Sequence, residues 1–446
     1  MHASVGRVAR EAVAVVFVAL GAAAFAVFFR TAINAVFVHL YRARDVLAAF
    51  RTISWPWRLV IPAAGGALAG AMSVVASRFK GGQGVGDVME AVVLGRRHIS
   101  LRLALSKALG SWFAIVSGGS VGREGPIIQF GGGLGGAVGP LFDLGEGETR
   151  ALVAAGTAAG FAAAYNTPLA AVLFVVEIVT GVIALDVVLP AMVATSIATA
   201  ATRLAAGAGP IYGQRAFTVQ WNLELVAHAL LGVLAGLTGP AFMALLDRGE
   251  AAFAKLRLPK PLRAAVGASW VGALAIFLPE VTGNGYEAIN LVLGEQVTIA
   301  LALLLIFAKA AATTASVSSG SPGGVFTPSL FIGAALGSTF GQALTVVAPH
   351  AVGAPGGYAL VGMAALIAAT THAPVLGAVM VFELSGDYAI VLPLLVATAT
   401  ATLVSRRLRP SSIYMEELAR RGRGWEITIE GRRMRQKAPQ SGSPEG

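Results

Sequence analysis

The chain has 446 residues and no cysteine. That absence excludes disulfides, thiolate nucleophiles and cysteine-ligated metal sites together. Charge is also scarce. Only 13% of residues are Asp, Glu, Lys or Arg, and 56% are hydrophobic, whereas a soluble domain carries roughly 25% charged residues. From Ala310 to Phe382, 73 consecutive residues contain none of the four charged types. A bilayer span needs about 20 apolar residues, so this run alone holds enough for more than one crossing. The composition is that of an all-α polytopic membrane protein.

The net charge of +10 raises the question of nucleic acid, but its placement answers otherwise. Basic residues sit near the ends and in loops: Arg7, Arg10, Arg78, Lys80, Arg96, Arg97, Arg102 and a tail from Arg406 with ten Lys/Arg against five Glu. By the positive-inside rule both termini are expected in the cytoplasm. The basic excess is expected to face anionic lipid, with no nucleic-acid partner. The first apolar run, Ala12–Phe29, continues into more apolar sequence, so a cleavable signal peptide is not expected.

Hydrophobic segments follow one another with little between them, among them 12–40, 57–78, 101–118, 127–140, 298–318 and 325–348. Several others are short and cut by Gly or Pro, the mark of broken helices buried in protein or lining a polar cavity. The chain also repeats itself. SGGSVGREGPIIQFGG (117–132) matches SGSPGGVFTPSLFIGA (319–334) at a constant offset of 202, and NTPLAAVLFVVEI (166–178) matches HAPVLGAVMVFEL (372–384) at 206. The second match pairs Glu177 with Glu383. Two ordered blocks in near-constant register indicate a duplicated half, and transporters built that way hold their substrate between the repeats. The expected organisation is a first half at 1–205, a connecting loop at 206–221, a second half at 222–418 and a basic, partly disordered tail at 419–446.

Three glycine-rich stretches precede apolar helices: GGQGVGD (81–87), GREGP (122–126) and GGVFTP (323–328). A helix N-terminus offers unpaired N–H groups and the positive end of the helix dipole. Glycines let an ion approach that backbone, and a first-turn proline gives up no needed donor. Three such ends converging would bind a dehydrated anion; small-residue helix packing is the competing reason for the glycines. Glu124 stands out further. Between Lys107 and Asp143 only Arg123 and Glu124 are formally charged. A carboxylate at membrane depth costs about 2.5–3.5 kcal/mol on insertion scales, which makes it a functional candidate. Arg123, adjacent in sequence, is poorly placed to pair with it. A carboxylate among helix ends can stand in for the anion they would bind and leave when protonated. Two enzyme-like patterns carry no weight. Gly118-x-Ser120-x-Gly122 lacks the α/β sheet of a nucleophile elbow, and Gly131-x-Gly133-x-x-Gly136 lacks a βαβ unit. No catalytic or metal-ligating set is expected, and the chain is not read as an enzyme.

GREGP followed by Gln129, the GGVFTP stretch, the Asn166-x-Pro168-Leu169-Ala170…Glu177 segment and Ser412-Ile413-Tyr414 together resemble the CLC family of chloride channels and chloride/proton antiporters over about residues 60–418. The resemblance implies a homodimer with one pore per subunit, each built from two inverted repeats of tilted and re-entrant helices. It implies that Glu124 is the gate and proton acceptor, and that Gln83, Gly84, Gly122, Arg123, Gly125, Val325, Phe326 and Tyr414 surround the anion. Val325 and Phe326 are placed there through backbone N–H groups and Tyr414 through its hydroxyl. Lys107 would add positive potential to the pore. Bound chloride ions are expected and no cofactor. Two departures stand out. Gln83 replaces a serine of the family's first anion motif, which leaves the choice among chloride, nitrate and other anions open. Ile178 occupies the position of an inner proton-relay carboxylate, leaving Glu177 as the nearest acid on that candidate route. The reading favours H+/Cl− exchange, with a passive channel or a transporter of another anion such as nitrate as alternatives.

Overall fold

The computed structural model describes residues 2–79, 84–95, 99–207, 209–213, 217, 224–349, 352–420, 425–428 and 431–434. Among the described residues, seven helices are long and apolar enough to cross a membrane: Gly6–His39, Trp55–Ala76, Leu185–Ala206, Glu224–Lys255, Ile299–Ser318, Phe326–Val347 and the stretch opening at Val391. Between them lie shorter or more interrupted helices, among them Leu101–Val116, Glu124–Leu141, Glu146–Tyr165, Lys260–Phe277, Pro355–Thr371 and Pro374–Ser385. The tail carries two short antiparallel strands, Trp425–Thr428 and Gly431–Met434. The first helix opens ahead of the apolar segment expected at 12–40, because Arg7 and Arg10 prolong it beyond the apolar stretch and pair there with Glu148 and Asp143.

The order of elements repeats. Leu101–Val116, Glu124–Leu141, Glu146–Tyr165, the segment from Pro168 and Leu185–Ala206 correspond to Ile299–Ser318, Phe326–Val347, Pro355–Thr371, Pro374–Ser385 and Val391–Leu408. The helical fold is thus built from two copies of one element order, as the offsets of 202 and 206 imply. The same small-residue contact closes each half. A Cβ at Gly131 would lie 2.1 Å from the Gly156 carbonyl oxygen, and one at Gly333 would lie 2.4 Å from that of Gly362. Real Cβ atoms do not approach so closely, so glycine alone permits the crossing of Glu124–Leu141 over Glu146–Tyr165 and of its repeat partner.

Short helices in each half begin after a left-handed corner. Asn166 and His372 both have φ near 59°, and Pro168 and Pro374 then occupy the first helical position, where no N–H is needed. The halves then diverge. From Glu177 to the helix-ending Gly181 is four positions, but from Glu383 to the equivalent Gly386 only three. The extra residue is taken up by a π-helical turn, Phe174–Thr180, which holds both Glu177 and Ile178.

Candidate anion site at facing helix ends

Repeat-related glycines build the site. Gly122 donates its N–H to the Gly324 carbonyl at 2.8 Å, and Gly324 returns the bond to Gly122 at 2.9 Å. This two-residue antiparallel bridge sets the start of Glu124–Leu141 beside the start of Phe326–Val347. A third helix, Val85–Leu94, opens nearby from Gly84, whose φ of 126° suits glycine.

Glu124 is 3% exposed. Its Oε1 accepts the N–H groups of Phe326 at 3.0 Å and Thr327 at 3.3 Å, and its Oε2 accepts the Thr327 hydroxyl at 2.9 Å. The carboxylate therefore occupies the positive end of the helix Phe326–Val347. No ion pair neutralises it among the described residues. Arg123 turns elsewhere, its guanidinium 4.6 Å from the centre of the Tyr286 ring. A Cβ on Gly122 or on Gly324 would come within 2.1 Å of Glu124 Oε1, so both glycines make room for this side chain.

A cavity of about 760 Å³ opens from this point. Glu124, Gly84, Lys107, Gly125, Val325 and Tyr414 all line it, together with Lys260, Arg263, Arg409 and the acids Asp247, Glu250 and Glu416. Three helix starts, those after Gly84, Arg123 and Val325, thus reach one space. Tyr414 lies on the helix Ile413–Arg420 and meets Phe174 edge-on, with ring centres 6.5 Å apart. Arg409 pairs with both Asp247 and Glu416, which ties that helix to Glu224–Lys255.

The other expected site residues take distinct places around this carboxylate. Val325 is the N-cap residue, so the amides that hold the carboxylate are those one position on, at Phe326 and Thr327. Gly122 commits its N–H to Gly324 and serves by placing the helices. Gln83 lies outside the described residues. Ile178 is 2% exposed. Glu177 accepts the N–H groups of Val375 and Leu376 at 3.3 and 2.6 Å, capping Pro374–Ser385. Glu383 accepts those of Leu169 and Ala170 at 3.0 and 2.8 Å, capping the segment from Pro168. Each half caps the other.

Two features escaped sequence reasoning. Lys309 is fully buried, donates to the Val281 and Gly283 carbonyls at 2.9 Å each, and lies 5.2 Å from the Phe331 ring centre. Gly283 in turn donates to the Gly118 carbonyl at 3.2 Å, so Lys309 braces the strand of chain leading to Gly122. The signal was present, since Lys309 stands 202 residues after Lys107. The other is Tyr165, whose hydroxyl lies 2.9 Å from Thr327 Oγ1. Nothing local in the sequence links two residues 162 positions apart.

A family model described as voltage gated chloride channel matches residues 65–406. A putative chloride channel protein ClcB-like from Ralstonia nicotianae is 38% identical over 381 residues, covering 84% of this chain and 89% of its own. A voltage-gated ClC-type chloride channel ClcB from Escherichia coli is 33% identical over 373 residues, covering 82% and 88%. Among solved structures, a slow cyanobacterial Cl−/H+ antiporter superposes with a TM-score of 0.83 at 26% identity, over 92% of this chain and 98% of that one. A CLC-type fluoride/proton antiporter, at 22% identity and a TM-score of 0.77, shares the fold over 91% of this chain and 97% of its own.

Proposed function

This chain belongs to the voltage gated chloride channel family, and from that premise we propose that it exchanges chloride for protons across a membrane, with Glu124 as gate and proton acceptor. The observation that carries the reading is the Glu124 carboxylate seated on the amides of Phe326 and Thr327. A chloride ion and a carboxylate oxygen compete for the same donors, so one must leave for the other to bind. Protonation removes the charge that the helix end attracts and turns one oxygen into a donor facing donors. Proton uptake and anion entry are thereby coupled at one pair of N–H groups. Gly84, Gly125, Val325 and Tyr414 form the wall along which the anion approaches, and Lys107 raises the local potential.

The same reading places the chain in a bacterial inner membrane with both termini cytoplasmic, as a lipid-embedded homodimer with bound chloride, no cofactor and no enzymatic activity. A passive channel is the second reading. It is favoured by Ile178, which offers no proton-carrying group, and by Glu177, whose carboxylate is engaged as a helix cap. Transport of another anion such as nitrate turns on Gln83. Purified protein in liposomes, with chloride efflux and proton uptake recorded together, decides between them. Exchange requires a chloride gradient to drive protons uphill; chloride flux without proton movement would overturn it in favour of the channel. Replacing chloride by nitrate in the same vesicles tests the substrate. Glu124→Ala is expected to lose proton movement and keep chloride flux.

A further inference from the structure

We propose that Thr327 and Tyr165 form a hydroxyl latch that holds Glu124 on the helix end and sets the pH at which it lets go. The inference rests on Glu124 being the gate and adds the residues that tune it.

Glu124 Oε2 can accept from one side-chain donor among the described residues, the Thr327 hydroxyl, at 2.9 Å. A threonine hydroxyl has a single proton, so with that proton on the carboxylate, Thr327 Oγ1 can only accept from Tyr165. The chain of bonds therefore runs one way, Tyr165 to Thr327 to Glu124, over 2.9 and 2.9 Å. Each donation polarises the next, which strengthens the hold on a negative charge in particular. A protonated Glu124 reverses the demand. Its own O–H needs an acceptor, and the Thr327 proton already points at it. The latch is thus selective for the charged gate.

The latch is also rigid. Thr327 is fully buried and Tyr165 is 1% exposed. The Tyr165 ring packs against Phe161 and Phe326 at 5.0 and 5.8 Å between centres, so the phenol has no room to swing aside. It has no repeat-related copy. The repeat counterparts of Thr327 and Tyr165, at offsets of 202 and 206, are Gly125 and Thr371. Gly125 has no hydroxyl and Thr371 spends its own on the Ile367 carbonyl at 2.7 Å, so the linked pair stands only where the carboxylate arrives.

The test is chloride efflux from liposomes as a function of pH, for the full-length protein and its variants. Thr327→Val keeps the shape and removes the donor. A hydrogen bond to a charged group is worth enough to move a titration by about one to two pH units, and losing a donor makes the gate easier to protonate. The midpoint of pH-activated flux should therefore rise by about that amount. Thr327→Ser should restore the wild-type midpoint, and Tyr165→Phe should raise it by less than Thr327→Val. In a Glu124→Gln background the pH dependence should vanish and Thr327→Val should add nothing. A Thr327→Val midpoint equal to wild type, or a shift that persists in Glu124→Gln, overturns the latch. If Glu124→Gln flattens the profile while Thr327→Val leaves the midpoint unmoved, the latch alone falls. If Glu124→Gln keeps the wild-type profile, the gate reading fails and the latch with it.

Discussion

Glu124 and Phe326 stand 202 residues apart at equivalent places, the first position of each half's site helix, yet they do opposite work. The first half contributes a carboxylate side chain; the second contributes the amides that receive it. Lys107 and Lys309 divide in the same way. One lines the cavity, while the other is buried among carbonyl groups behind it. Gly122 and Gly324, by contrast, do one thing together, each donating to the other, and Glu177 and Glu383 cap each other's helices. Duplication gave two copies of a frame. The frame stayed symmetric at the Gly122–Gly324 bridge and at the two caps, and diverged at Glu124 and at the lysines.

That division can be broken at graded cost. The largest effect is expected where the two halves are most alike. Gly131→Ala and Gly333→Ala would each press a methyl group into a carbonyl oxygen at 2.1 and 2.4 Å. Overpacking of this kind costs about 3 kcal/mol at the upper end of its usual range, and thermal unfolding in detergent should show losses of similar size in both. A large loss in one and none in the other would end the claim of a symmetric frame.

The lysines should separate rather than match. Lys309→Met leaves two buried carbonyls without their donor and is expected to cost about 2 kcal/mol of stability. Lys107→Met should leave stability unchanged within about 0.5 kcal/mol. It should instead slow chloride flux at low salt, with the difference shrinking as ionic strength rises. Unfolding midpoints and fluxes at two salt concentrations check both halves of the statement.

The smallest effect belongs to the reciprocal caps. Glu177→Ala and Glu383→Ala each remove an acceptor from two helix-end N–H groups, a loss of about 1 kcal/mol. Equal losses with chloride and proton movement intact would mark both as structural. A specific loss of proton movement in Glu177→Ala would instead place that acid on the inner proton route.

Much of this arrangement is legible in the chain itself. The constant offset between GREGP and GGVFTP already implies that their glycines meet, because repeat-related segments in an inverted pair face each other across the pseudo-axis. Glu124 could be singled out because an isolated acid in an apolar run needs a reason. The pairing of Glu177 with Glu383 by position was readable, but not that each caps the other half's helix, since a cap is a contact in space and an offset is not. The π turn was also written in the sequence, as the one extra residue between Glu177 and Gly181. The tyrosine–threonine chain was not. Its two hydroxyls belong to different halves and to no shared motif, so only the folded chain brings them to 2.9 Å.

The central claim is that carboxylate and chloride compete for the amides of Phe326 and Thr327. Calorimetric chloride titration of the wild-type protein and of Glu124→Ala, each across a range of pH, tests it most directly. Competition predicts tighter chloride binding, or one more site per chain, in Glu124→Ala at neutral pH, with the wild type approaching the same behaviour as the pH is lowered. Identical chloride affinity and stoichiometry in the two proteins at every pH would contradict it.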